Sequence, residues 1–116
     1  MGAVTVNKIG EIRISDDVLA TLAGKAAVGC YGIVGMASKR ATDGLVELLG
    51  SDNLSKGVKV MSQGNEIVID LFIIVEYGIS IAAVAQNVID TVKYTVEKLT
   101  GTTVKKVNIK VEGVRV

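Results

Sequence analysis

Apolar residues recur at helical spacing in two stretches of the chain, and a serine precedes each stretch. The first runs from about residue 16 to about residue 28, where small apolar side chains form a narrow stripe suited to close packing on a sheet. Ser15 is its predicted N-cap. Ser80 is the predicted N-cap of the second stretch, and Gly101 follows at the position of a left-handed C-terminal cap. The two stripes comprise Val18, Leu19, Leu22, Ala23, Ala26 and Ala27, and Ile81, Val84, Ala85, Val88, Ile89, Val92, Val96 and Leu99.

Alternation of apolar and polar residues and runs of β-branched residues predict four strands. KIGEIRIS alternates Ile12 and Ile14 with charged residues, which predicts a short strand with Glu11 and Arg13 outward. GVKVMS and EIVIDLFIIVEYG are β-branched runs separated by a short segment centred on Gly64, which predicts a hairpin. VKKVNIKVEGVRV predicts a last strand with one face toward water. Its inward residues are Val107, Ile109 and Val111, and its outward residues are Asn108, Lys110 and Glu112.

These elements define the fold class. Between the first helix and the hairpin, glycines punctuate the chain, an apolar patch before Gly50 predicts one or two helical turns, and SDNLSKG predicts a turn. The predicted order is β-α-(short α)-β-β-α-β, an α+β fold with a small mixed sheet and two principal helices packed on one face. The chain has no proline and no linker-like segment, so we expect residues 1–116 to form a single domain. The apolar patch comprises Leu45, Val46, Leu48 and Leu49.

Composition removes several classes of function. Hydrophobic residues make up 49% of the chain, and 13 basic side chains nearly cancel 12 acidic ones, so no net field attracts nucleic acid and we expect none as a partner. The chain has no histidine and one cysteine, so we expect no metal, no cofactor, no disulfide and a reducing, cytoplasmic location. Cys30 follows a helix C-terminus, where the dipole disfavours a thiolate, so we expect it to be buried. No apolar run is long enough to predict direct insertion into a membrane.

GCYGIVG, at residues 29–35, places a glycine at every third position. A phosphate loop needs backbone N–H groups at a helix N-terminus, whereas Gly29, Gly32 and Gly35 follow a helix C-terminus, where the dipole has the wrong sign. A KH-type GxxG loop also matches these letters, but it joins two helices and works with surrounding basic charge. We therefore expect the three glycines to allow chain reversal and close packing.

The long run EIVIDLFIIVEY is apolar on both faces of the predicted strand. Burial between helices on both sides produces such a pattern. With two substantial helices, one face of the sheet can instead remain open, and Phe72 and Ile74 then mark a partner or self-association surface rimmed by Asp70 and Glu76. We favour this second interpretation because an exposed apolar patch usually has a partner. Asp70 and Glu76 lie roughly 20 Å apart along the strand, too far for shared acid–base chemistry, and are predicted to be solvated edge charges.

The last predicted strand is basic. Its cations indicate either a solvated edge that deters the addition of another strand, or a contact for acidic lipid headgroups or an acidic partner. They are Lys105, Lys106, Lys110 and Arg115.

Five stretches, in order along the chain, resemble the alkaline shock protein family, also called the envelope stress response protein family. They cover about residues 8 to 115. The resemblance comes from the order of five matching pieces over nearly the whole chain, and none of them is a catalytic signature. The stretches are GEIRISDDVLATLAGKAA, CYGIVGMAS, LLGSDNLSKGVKV, IVIDLFIIVEYGISIAAVAQNV and VNIKVEGV.

The resemblance implies a small cytoplasmic protein of Gram-positive bacteria with no established enzymatic chemistry. Some members of this family associate with the inner face of the membrane through anchoring proteins. We therefore expect a non-enzymatic scaffold of the envelope stress response, a homo-oligomer with a membrane-anchored protein partner. Two other hypotheses stay open: an accessory subunit that binds an enzyme of the dihydroxyacetone-kinase-like type or a lipid ligand, and a KH-like RNA binder.

Overall fold

The computed structural model describes residues 3–6, 9–38 and 51–116. Strands β1 (Ala3–Val6) and β2 (Glu11–Ile14) pair antiparallel as a separate two-stranded sheet. The fold is α+β with a mixed main sheet, as predicted. The remaining elements, in chain order, are α1 (Asp16–Val28), β3 (Ile33–Met36), a 3₁₀ helix (Ser51–Gly57), β4 (Val58–Gln63), β5 (Glu66–Glu76), α2 (Ile81–Thr100) and β6 (Thr103–Arg115).

β5 is the central strand of the main sheet. β6 runs parallel to it along its whole length on one edge, and β4 and β3 pair antiparallel with its first and second halves on the other edge. β4 and β5 form the predicted hairpin, whose turn contains Gly64 with φ of 67°. β6 is parallel to β5 because α2 carries the chain back along the sheet between them. Within the described residues, β6 pairs with β5 alone, so its outer edge is unpaired.

Both helices lie on the same face of this sheet, as predicted. The core cluster takes one residue in two from β5, beginning at Ile67 and ending at Val75, and packs them against α1 and α2. From α1 it takes Leu19, Ala20, Ala23 and Ala27, and from α2 it takes Val84, Val88, Val92 and Val96. The small side chains of α1 permit the close approach that the sequence predicted.

Local signals at the helix ends are confirmed. Ser15 Oγ accepts a hydrogen bond from Val18 N, and Ser80 Oγ accepts one from Ala83 N, each at 3.3 Å. Gly101 has φ of 73° and ends α2 in the left-handed conformation. Each of these caps is decided by residues within one helical turn, which is why the sequence alone predicted them.

Two strands and one helix differ from the predicted order. β1 and β3 were not predicted, and SDNLSKG forms a 3₁₀ helix where a turn was expected. This 3₁₀ helix packs on α1, where a Cβ added at Gly24 would lie 3.1 Å from Leu54 Cβ. The helical turns predicted at residues 45–49 lie outside the described residues.

Several residues of the predicted apolar stripes are exposed. Val18 is 50% exposed, Ile81 45% and Leu99 63%, and each lies in the first or last turn of its helix. Ile12 is 53% exposed because β2 belongs to the separate two-stranded sheet.

Candidate interaction surface

The face of the main sheet opposite the helices is the candidate functional site. Residues that pair directly across neighbouring strands project to the same face of a sheet. Asp70, on β5, pairs with Lys59 of β4 and with Asn108 of β6, and this register assigns the other positions. The central residues of this face, called the open face below, are Lys59, Met61, Val68, Asp70, Phe72, Ile74, Lys106, Asn108 and Lys110. None of these nine belongs to the helix-side core.

Asp70 lies in the middle of the open face and is only 7% exposed. Its Oδ1 accepts a 2.8 Å hydrogen bond from Nδ2 of Asn108 on β6. Among the described residues, no ion pair joins this carboxylate to Lys59, its neighbour on β4. The expectation of a solvated edge charge is therefore wrong for Asp70, because strands on both sides flank it and one of them supplies its hydrogen-bond donor.

Phe72 is the aromatic residue of the open face and is half-buried. The Nζ of Lys110 lies 5.6 Å from the centroid of its ring, within the range of a cation–π interaction. Ile74 is 1% exposed, so the expectation that it offers contact area is wrong. Glu76, at the end of β5, is exposed as predicted. Of the four residues predicted for this surface, Phe72 and Glu76 are accessible to solvent, whereas Asp70 and Ile74 are buried.

β6 presents the basic edge that the sequence predicted. Its two register shifts against β5 leave Lys105 and Glu112 as extra residues, so both are β-bulges. Lysines and bulges at an edge both discourage pairing with an unrelated strand. The cations Lys105, Lys106, Lys110 and Arg115 are all exposed.

The three glycines at residues 29–35 differ in backbone conformation and in the space available for a side chain. Gly32 has φ of 86°, and a Cβ there would lie 2.8 Å from side-chain atoms of both Ile79 and Val84, so this position needs glycine. Gly29 closes α1 in the right-handed region, with φ of −76° and no atom nearer than 3.6 Å to an added Cβ. Gly35 is buried opposite Ile74, at the register irregularity of β3.

An open groove of about 350 Å³ lies beside the start of α2. A lipid-binding subunit would need an enclosed apolar cavity. Tyr31, on the wall of the groove, is 78% exposed, so the groove does not provide that enclosure. Its lining residues are Tyr31, Gly78, Ile79, Ser80, Ala83, Val84 and Asn87.

Cys30 is buried, as predicted, with 8% of its surface exposed. Its Sγ lies 3.5 Å from the carbonyl oxygen of Ala26 and donates to it. In the described part of the chain, no three acidic or cysteine side chains form a group that could hold a metal ion. No helix in that part combines the length and apolar character needed to cross a membrane.

Comparison with known proteins identifies the family. Residues 4–116 match the model of the alkaline shock protein 23 family, which is described as having a cell envelope-related function. The chain belongs to this family. The resemblance drawn from five sequence stretches is therefore confirmed, and so is the connection to the cell envelope.

Relatives in this family cover nearly the same length. The chain is 56% identical over 110 residues to the uncharacterized protein YloU of Bacillus subtilis (strain 168), covering 94% of this chain and 92% of YloU. It is 40% identical over 110 residues to the uncharacterized protein Spy1614 of Streptococcus pyogenes serotype M6, covering 94% and 91%. Among solved structures, MamM-CTD 215-293 is similar with a TM-score of 0.52 and 13% identity, covering 85% of this chain and 99% of that one, which shows a shared fold.

The sequence did not predict that Asn108 and the lysines near Asp70 share the open face with it. The alternation of β5 and β6 showed which residues share a face of each strand, but not which residue of one strand lies opposite which residue of the other. The only signal was a polar residue at the centre of each strand, Asp70 and Asn108.

Proposed function

We propose that this protein is a non-enzymatic scaffold of the cell-envelope stress response, which self-associates and binds a protein partner near the membrane. Two findings support the proposal: the family's cell envelope-related description, and a sheet face that neither helix covers and on which Met61 and Phe72 are partly exposed. The residues that would make contact are on the open face.

The composition of the open face is the observation that carries this proposal. Met61 and Phe72 are partly exposed on either side of the Asp70–Asn108 pair, and Lys59, Lys106 and Lys110 are exposed beside them. Methionine and aromatic side chains bordered by exposed charges are common in protein–protein interfaces. The hydrogen bond between Asp70 and Asn108 satisfies the buried polar atoms it joins, so that bond survives when a partner excludes water.

The variant Phe72→Lys tests the surface. The substitution removes the aromatic contact and places a second ammonium group beside Lys110, which adds like-charge repulsion. We therefore expect the molar mass, measured by light scattering over a concentration series, to fall relative to the wild type. Tyr94→Lys on α2 is the matched control, because Tyr94 is also an aromatic residue with a lysine, Lys98, over its ring at 5.4 Å. The control should leave the mass unchanged. A folded Phe72→Lys protein with the wild-type mass would contradict the role of this face.

Salt dependence and cell fractionation separate this function from its rivals. A scaffold held by apolar contacts keeps its assembly as salt rises, whereas binding to RNA weakens steeply with salt. In cells, we expect wild-type protein to sediment with membranes through its partner and Phe72→Lys to move to the supernatant. Turnover of a small metabolite that one substitution abolishes would overturn the non-enzymatic proposal.

A further inference from the structure

The spacing of the apolar residues along β6 is symmetric about its central residue, Ile109. Its helix-side residues pair with, or lie beside, the core residues of β5. The intervals between them are three, two, two and three positions, with Ile109 at the centre. Two identical strands related by a two-fold axis pair antiparallel, and a pattern with this symmetry places equivalent faces together. The helix-side residues are Val104, Val107, Ile109, Val111 and Val114.

The bulges of β6 lie close to each other in this arrangement. When Ile109 lies opposite Ile109 of a second copy, Lys105 and Lys106 lie opposite Gly113 and Glu112 of that copy. The bulged residue Lys105 of one copy therefore lies one position away from the bulged residue Glu112 of the other, so each end of the seam pairs one irregular segment with another.

Charge complementarity fixes the same register. Lys106 lies opposite Glu112 of the second copy, and the two-fold axis makes this pair twice. Both side chains are exposed in the single chain, so neither must leave a buried partner. Lys110 lies opposite Asn108, whose amide is bonded to the buried Asp70. This register places no lysine directly opposite another lysine.

We propose that two copies of this chain join edge to edge through β6, antiparallel about Ile109, so that their main sheets become one continuous sheet. The proposal rests on the self-association in the proposed function and adds to the open face a second contact between copies, with its strand, register and charge pairs. The joined sheet shelters the partly exposed Ile109 and Val111 and the 47% exposed Val114 at the seam. It also places two open faces side by side, which doubles the platform for a partner.

Charge reversal tests the register. Glu112→Lys makes two Lys–Lys pairs across the seam, and Lys106→Glu makes two Glu–Glu pairs. We expect each variant alone to raise the dissociation constant of the dimer about ten-fold, measured by sedimentation equilibrium. Lys93→Glu, an exposed lysine on α2, is the matched control and should leave the constant unchanged. Circular dichroism verifies that each variant is folded.

Mixing the two defective variants gives the sharper result. In a mixed dimer, Lys106 of the Glu112→Lys chain meets Glu112 of the Lys106→Glu chain, and the other seam pair is also opposite in sign. We therefore expect the mixture to form dimers with the wild-type dissociation constant, and the doubly reversed chain to do the same. Rescue of this kind depends on which residues lie opposite each other, so a general effect of net charge cannot produce it.

The outcomes separate the two proposals. If the wild type assembles but reversal and mixing change nothing, the seam through β6 is wrong and self-association by another surface stands. If the wild type stays a single chain at every concentration, both the seam and the self-association are wrong. Weakening by each single variant without rescue in the mixture would also overturn the antiparallel register.

Discussion

The two faces of β5 both carry buried aliphatic residues, yet these residues are buried in different ways. On the helix side, Ile73 is 0% exposed beneath a layer of two helices. On the open face, Val68 is 9% exposed, and it lies between Met61 of β4 and Lys106 of β6. Low exposure on the first face therefore reflects a packed second layer. On the second face neither helix contributes to the low exposure, and the described neighbours of Val68 are side chains of the flanking strands, so the two faces differ in what buries them.

The largest effect is expected on the helix side. Ile73→Ala should lower the free energy of unfolding by about 3 kcal/mol, because the packed core cannot fill the cavity that is left. Phe72→Ala, one residue away on the open face, should cost about 1 kcal/mol, since its side chain is only half-buried. Urea unfolding at a concentration where the protein is a single chain measures both. Equal losses would mean that the two faces do not differ as described.

Stability should also be sensitive to substitution at Gly32, which packs against Ile79 and Val84 beside the start of α2. Gly32→Ala should cost about 2 kcal/mol, because the positive φ disfavours a side chain and the new Cβ meets Ile79 and Val84. Gly29→Ala, three residues earlier, is the control and should change the free energy of unfolding by less than about 0.5 kcal/mol, since its φ is ordinary and there is space. A tolerated Gly32→Ala would show that α2 can shift without loss.

The polar pair of the open face gives a smaller effect that distinguishes charge from hydrogen bonding. Asp70→Ala should cost roughly 1–2 kcal/mol, because the amide of Asn108 loses its acceptor in a largely buried position. Asp70→Asn keeps an acceptor oxygen and should cost less than half as much. The comparison is made by urea unfolding of both variants. If Asp70→Asn is as damaging as Asp70→Ala, the negative charge and not the hydrogen bond stabilises this face.

The smallest effect concerns the lysine above the aromatic ring. Lys110→Gln should lower the free energy of unfolding by roughly 0.5 kcal/mol, the size of an exposed cation–π interaction. Lys98→Gln, which removes the equivalent contact with Tyr94 on α2, should match it. A double-mutant cycle with Phe72→Leu isolates the interaction. A coupling of zero would leave Lys110 as a solvated charge without influence on the ring.

The sequence predicted the parts of the fold that nearby residues decide. Ser15, Ser80 and Gly101 cap their helices as expected, and the hairpin of β4 and β5 forms around Gly64. The alternation in VKKVNIKVEGVRV also placed Val107 on the core side correctly. In each case the deciding interaction lies within a turn or a single strand, where residue spacing carries the information.

The parts that were missed depend on pairing between distant segments. Asp70 and Asn108 are 38 positions apart, and their contact exists only because α2 sets β6 beside β5 in one register. β3 is four residues long in a glycine-rich run and is a strand because the end of β5 offers it an edge. Phe72 was correctly placed on the side away from the helices, but how far Asp70 and Ile74 are buried there could not follow from alternation.

The parallel pairing of β5 and β6 has a consequence for how the chain reaches this state. The hairpin of β4 and β5 closes through a short turn, an event of microseconds, whereas β6 can dock only after the 20 residues of α2 have folded back along the sheet. Until then, the most apolar strand has an unprotected backbone edge. During refolding from denaturant, docking of β6 within one chain therefore competes with aggregation between chains. The yield of folded protein falls as the protein concentration rises.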